Sequence, residues 1–151
     1  TQVGKLGSFG KTLRAGLDTV ESDNVLLIMI DYIFMGKVNN QKIEDYYKYF
    51  NENNLDSLCL EYQGYPNVTA TKHPELINVI PPAPHIMFSY QIAFWTKTML
   101  YEMALPHENP WMSEWFGSQR AEKMRIKLVC PKKEIEMPIP YDLRGCLHQG
   151  K

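Results

Sequence analysis

The chain has 151 residues, a formal net charge of −1 and 44% hydrophobic residues, a balance that fits a single globular domain over residues 1–151 rather than a disordered chain. Near-neutral charge gives no electrostatic footing for nucleic acid, and no apolar run approaches the roughly 20 residues that a membrane span needs. Cys59, Cys130 and Cys146 are odd in number and widely spaced, so they fit neither a disulfide framework nor a zinc knuckle and read as reduced thiols of a cytoplasmic protein.

Taken in chain order, Ser8 opens a helix whose apolar positions are Leu13, Leu17 and Val20, and Asp23-Asn24 breaks it. The run Val25-Leu26-Leu27-Ile28-Met29-Ile30 follows and ends abruptly in Asp31-Tyr32. A continuous apolar run suits a strand buried on both faces, at the centre of a helix-covered sheet. Ligand sites in open α/β sheets lie off the carboxyl ends of such strands. Asp31 is therefore either a site residue or the start of a turn, where Asp is favoured for its own hydrogen bonding.

Asn40 is placed to cap a second helix with the stripe Ile43, Tyr46, Tyr47 and Phe50, and Leu55 to Tyr62 reads as the next strand. Helix, strand, helix, strand signals a layered α/β structure. From Gln63 to Pro84 the pattern decays around Pro66, Pro74, Pro81, Pro82 and Pro84, which predicts a long loop. His85 to Phe94 reads as a strand running into a helix near Trp95-Thr96, with Met99, Leu100 and Met103 as its buried stripe. Met112 to Met124 reads as a helix capped by Ser113, and Arg125 to Cys130 as a last strand. The proline-rich tail from Pro131 carries no clear element.

Glu114 is the second candidate for chemistry. It sits between Trp111 and Trp115, and a carboxyl near apolar rings has a raised pKa suited to proton abstraction. The competing reading is a helix-start Glu that favours the helix dipole. The tryptophans read either as a sugar-stacking platform or as core. His73, His85, His107 and His148 have no ligand-like spacing, and Cys59 reads as packing within a strand. Gly7-Ser8-Phe9-Gly10-Lys11-Thr12 has two residues where a phosphate loop needs four, so Lys11 and Arg14 read as the solvated face of the first helix.

The succession Ser8-Phe9-Gly10-Lys11-Thr12-Leu13, Val25 to Asp31-Tyr32, Gln91-Ile92-Ala93-Phe94-Trp95, Pro110-Trp111 with Glu114 and Gly117-Ser118, and Gly150-Lys151 resembles a family of GT-A-like glycosyltransferases of the bacterial surface-polysaccharide type. The resemblance covers nearly the whole chain. It implies a helix-flanked mixed sheet, the later portion of a GT-A fold, with a nucleotide-binding βαβ portion upstream of Thr1. It implies transfer of a sugar from a nucleoside diphosphate sugar to the hydroxyl of a glycan acceptor. The family's acidic pair, which holds a manganese or magnesium ion on the donor diphosphate, corresponds to Ile30-Asp31. Asp31 carries over as a substrate and metal residue, and Ile30 departs. By the same resemblance Glu114 is the general base, Gln91 and Trp95 are a polar–aromatic pair at the sugar site, and Trp111 belongs to the substrate side. The departure at Ile30 keeps an alternative open: a catalytically inactive relative serving as a sugar- or partner-binding subunit.

Overall fold

The computed structural model describes residues 7–83 and 86–142. The described chain is mixed α/β, with helices α1 (Phe9–Asp18), α2 (Asn40–Glu52), α3 (Lys97–Met103) and α4 (Pro110–Met124) and strands β1 (Asn24–Leu27), β2 (Ser57–Cys59), β3 (Val68–Ala70), β4 (Leu76–Val79), β5 (Ala93–Thr96) and β6 (Leu128–Pro131). The strands form one sheet in the order β1-β5-β2-β6-β4-β3. β5 is antiparallel to both β1 and β2, and β2 is parallel to β6. β1, β2 and β6 therefore end at the same edge of the sheet. Cys146, His85, His148 and Gly150-Lys151 lie outside the described residues. Among the described residues no helix is long and apolar enough to cross a membrane.

Alternation along β5 divides the core into two layers. Ala93 and Trp95 face a layer closed by Leu17 of α1, Leu100 and Met103 of α3 and Ala121 of α4. Ile92 and Phe94 face the other layer, closed by Tyr46 and Phe50 of α2. Helix starts follow side-chain capping. Asn39, one residue before the expected Asn40, accepts a hydrogen bond from the Lys42 amide (3.1 Å). Asn109 caps α4 through the Met112 amide (2.9 Å), with Pro110 in the first helical position, where its missing N–H costs nothing. Ser113, the expected cap, is instead buried inside α4 and donates to the Met103 carbonyl (3.1 Å).

Three expectations are corrected. The strand after α1 is not central: β1 is the edge strand, with Val25 and Leu27 packed inward while Leu26 and Ile28 are exposed. Its apolar run is covered on one face only, and Ile30 stands wholly in solvent at 101% exposure. The stretch 63–84 is not all loop, because β3 and β4 form an antiparallel hairpin within it (Val68↔Val79, Ala70↔Ile77). Arg14 is not a solvated residue. It donates from Nε to the Ala104 carbonyl (2.6 Å) and from Nη2 to the Tyr101 carbonyl (3.0 Å), satisfying the open carboxyl end of α3, and its guanidinium lies 4.2 Å from the centre of the Tyr101 ring.

Small residues set the helix packing. α4 turns Ser113, Gly117, Ser118 and Ala121 inward and leaves Trp111, Met112, Trp115 and Phe116 exposed. A Cβ on Gly117 would sit 2.6 Å from the Phe88 ring. Gly10 is tighter still, since a Cβ there would lie 1.9 Å from the Leu105 carbonyl oxygen. This close approach of α1 to the loop after α3 is what the Ser8-Phe9-Gly10 segment serves: the Gly10 amide reaches the Glu108 carbonyl and the Ser8 hydroxyl the Pro106 carbonyl. We expect Gly10→Ala to cost about 1–3 kcal/mol as overpacking. Gly16→Ala, on the same helix with no atom within 4 Å of its Cβ, should stabilise by about 0.5–1 kcal/mol. Urea denaturation of the two variants checks the pair, and equal stabilities would refute the close approach.

Candidate functional site

The edge where β1, β2 and β6 end also receives the segment that leads into β5, so chain from four places meets there. Leaving β1, Met29 to Tyr32 forms a turn closed by the Tyr32 amide on the Met29 carbonyl (3.3 Å), with Asp31 inside it. Gln91 comes two residues before β5, and its Oε1 accepts hydrogen bonds from the Tyr32 hydroxyl (3.0 Å) and the Tyr141 hydroxyl (2.7 Å). The two tyrosine rings lie against each other at 4.5 Å between centres. Tyr141 arrives from the tail, which runs back along residues 33–39. The Met35 amide binds the Pro140 carbonyl (2.8 Å), the Asn39 amide binds the Pro138 carbonyl (2.8 Å), and Phe34 bridges Tyr141.

Glu61 completes the cluster. It leaves β2 two residues after Cys59, is 6% exposed, and its Oε2 is buried with no hydrogen-bond partner. Burial pushes its carboxyl up to about 7, a rise that the nearby Tyr141 hydroxyl partly offsets. The folded state therefore binds the Glu61 proton more tightly than the unfolded chain does. That contribution to stability is full at low pH and is lost as pH rises towards 7. Sequence reading passed Glu61 over, although Leu58-Cys59-Leu60-Glu61 repeats the apolar-to-acid switch seen at Ile30-Asp31.

Glu114 borders the cluster from α4. Its Oε1 accepts the Tyr90 amide (2.8 Å), one residue from Gln91, and burial raises its carboxyl pKa while that amide lowers it. Further bonds pin the same segment to α4. The Ser113 hydroxyl spends its proton on the Met103 carbonyl, so the Tyr90 hydroxyl donates to it (2.7 Å). The Phe88 amide donates to Ser118 Oγ, which in turn donates to the Phe88 carbonyl (both 3.1 Å). Glu114 is thus one of several contacts that hold Gln91 in place. Burial raises the Tyr32 pKa, and the charges of Asp31, Glu61 and Glu114 add to the rise.

The remaining sequence candidates separate. Trp95 is 1% exposed, deep in the core against Phe88 (5.3 Å between ring centres), so it does not share the edge position of Gln91. Trp111 is 77% exposed on α4 and is not core. Asp31 stands beside exposed Ile30, and no group of three or more His, Cys, Asp or Glu side chains among the described residues is arranged to hold a metal ion. Cys59 and Cys130 are buried free thiols, and burial pushes Cys59 up to about 12, which keeps it unreactive. His73 has both ring nitrogens engaged, Nε2 with Asp45 (2.9 Å) and Nδ1 with the Glu75 amide (3.2 Å), and latches α2 to the β3–β4 hairpin. A cleft of about 830 Å³ opens between α2, that hairpin and the residues entering β2 and β6, and neither Glu61 nor Gln91 lines it.

Comparison of the chain with family models, with curated proteins and with solved structures finds no match.

Proposed function

We propose that this chain handles a sugar, as part of a glycosyltransferase that moves it from a nucleoside diphosphate sugar to an acceptor hydroxyl. One observation carries the reading. Gln91 and Glu114, picked from distant parts of the sequence by their resemblance to a GT-A-like family, meet at the carboxyl edge of the parallel strands: Gln91 accepts the hydroxyl of Tyr32, the neighbour of Asp31, and Glu114 accepts the amide of Tyr90, the neighbour of Gln91. Ligand sites of α/β sheets lie at such edges. The cluster presents a carboxamide, a phenol hydroxyl and a carboxyl at the partly exposed Gln91, Tyr32 and Glu114, backed by the buried Tyr141 and Glu61, and carboxamide, hydroxyl and carboxyl groups suit the alternating donors and acceptors of a sugar's hydroxyls.

In this reading Glu114 takes the acceptor's proton while the acceptor oxygen bonds to the anomeric carbon and the nucleoside diphosphate leaves with the bonding pair. The exposed aromatic face of Trp111 and Trp115 on α4 is where an acceptor glycan would stack. A preformed divalent site is not built from the described side chains. Asp31 would be the protein's ligand to a magnesium or manganese ion that also binds the donor's phosphates, an arrangement usual for such ions, and the ion would neutralise charge on the leaving diphosphate. Ile30 in place of an acid favours a second reading, a sugar-binding relative without transferase activity.

Saturation-transfer NMR and transfer assays with UDP-, GDP- and dTDP-linked hexoses decide between them. We expect at least one nucleotide sugar to bind, weakly and with a modest gain from manganese. Gln91→Ala, which removes the acceptor of the Tyr141 hydroxyl and leaves the Tyr32 hydroxyl only the Tyr90 carbonyl (3.3 Å), should weaken that binding by on the order of tenfold. Binding without transfer selects the second reading, and failure of every donor, of the free hexoses and of oligosaccharides to bind refutes both.

A further inference from the structure

The Tyr141 hydroxyl has one proton and two acceptors in reach. It donates to Gln91 Oε1 at 2.7 Å and lies close enough to the Glu61 carboxyl to influence it. Glu61 in turn has a buried oxygen with no partner at all. A buried carboxylic acid tolerates that state far better than a buried carboxylate, which needs donors. Among the described residues, the Tyr141 hydroxyl is the side-chain donor that favours the ionised form of Glu61. Ionising Glu61 therefore draws the Tyr141 proton away from Gln91.

We infer that Glu61 is a positioning residue: whether it carries its proton selects the acceptor of the Tyr141 hydroxyl, and so decides whether Gln91 keeps that hydroxyl or is left with the Tyr32 hydroxyl, which it shares with the Tyr90 carbonyl (3.3 Å). No sequence motif or comparison assigns Glu61 this role. Other titratable groups facing it do not supply the switch. Tyr32 and Tyr65 are phenols whose pKa burial raises, so they stay neutral. Cys59 is a buried thiol held protonated. Glu114 and Asp31 act on Tyr32. Tyr141 itself is kept neutral by burial and by Glu61. Its bridge to Phe34 holds the tail in register, so the swap is a rotation of one hydroxyl and not a rearrangement of the chain.

The consequence for sugar binding rests on the proposed function, but the switch can be read in the ligand-free protein. The side-chain amide of Gln91 is followed by ¹⁵N NMR, and the Glu61 carboxyl carbon by ¹³C NMR, between pH 5 and 9. In the wild type both should move in one step with a midpoint of about 7. Glu61→Gln and Tyr141→Phe should each abolish the Gln91 step. In Tyr141→Phe the Glu61 carboxyl should still titrate, at a higher pH, because the hydroxyl that favours its ionised form is gone. A Gln91 amide that does not respond in the wild type overturns the inference, as does a step that survives Glu61→Gln or a Glu61 midpoint that stays put in Tyr141→Phe. If Glu61→Gln does not fold, Tyr141→Phe decides alone. Failure of every nucleotide sugar, free hexose and oligosaccharide to bind would refute the proposed function and leave these titrations unchanged, so the two failures are distinguishable.

Discussion

Arg120→Met should lower the unfolding free energy by about 3–5 kcal/mol, the cost of leaving a buried charge without its partner. Glu108 is 2% exposed in the loop before α4, and the Arg120 guanidinium grips both its oxygens, at 2.8 and 2.7 Å. The same guanidinium donates to the Met103 carbonyl at the end of α3 (2.7 Å). One side chain thus ties the turn between α3 and α4 to the helix that carries Glu114. For a domain of this size each kcal/mol is worth about 2–4 °C in Tm, so the variant should melt about 6–20 °C lower. Removing both charges, as in Glu108→Leu with Arg120→Met, should recover most of the loss, because buried pairs replaced together by apolar residues are near neutral. Urea denaturation of the two single variants and the double variant completes the cycle. A loss below about 1 kcal/mol in Arg120→Met would mean that water reaches Glu108 and that the pair is a surface one.

Local pattern carried the helices and most strands, because amphipathic spacing and capping chemistry are written within a few residues. It failed where pairing is long-range. Val25 to Ile30 and Leu58 to Leu60 are both apolar runs that end at an acid, and nothing within either says which is central. That is settled by β5, more than 30 residues downstream of β2, which inserts between them. The longer run became the edge and the shorter run the centre, so Asp31 drew attention that Glu61 equally warranted. Gln91 and Trp95 were read as a pair, but the chain is irregular until Ala93, so Gln91 stays at the rim while Trp95 enters the core. The tail gave no signal at all. Tyr141 owes its place to backbone bonds with residues 33–39, a partner roughly a hundred residues away that no periodicity encodes.

Glu114→Gln should leave the fold intact and, if the chain is a transferase, lower kcat by about 10²–10⁴-fold, the worth of a positioned base. The glutamine keeps an oxygen for the Tyr90 amide, so the segment that bears Gln91 stays pinned to α4. Glu114→Ala removes that acceptor as well and should cost a further 1–3 kcal/mol or so of stability, because the Tyr90 amide is then left unpaired. Comparing the two separates proton chemistry from support. The pH profile adds a sharper test. A base must be ionised, so activity should climb as pH rises through the Glu114 pKa, which burial holds above the usual carboxyl range. It should fall again near pH 7, where ionised Glu61 takes the Tyr141 hydroxyl from Gln91. Glu61→Gln should abolish the falling limb and spare the rising one, whereas Glu114→Gln should remove the rising limb along with most of the rate. A profile that still rises in Glu114→Gln would assign the base elsewhere, and one that still falls in Glu61→Gln would detach Gln91 from the proton on Glu61.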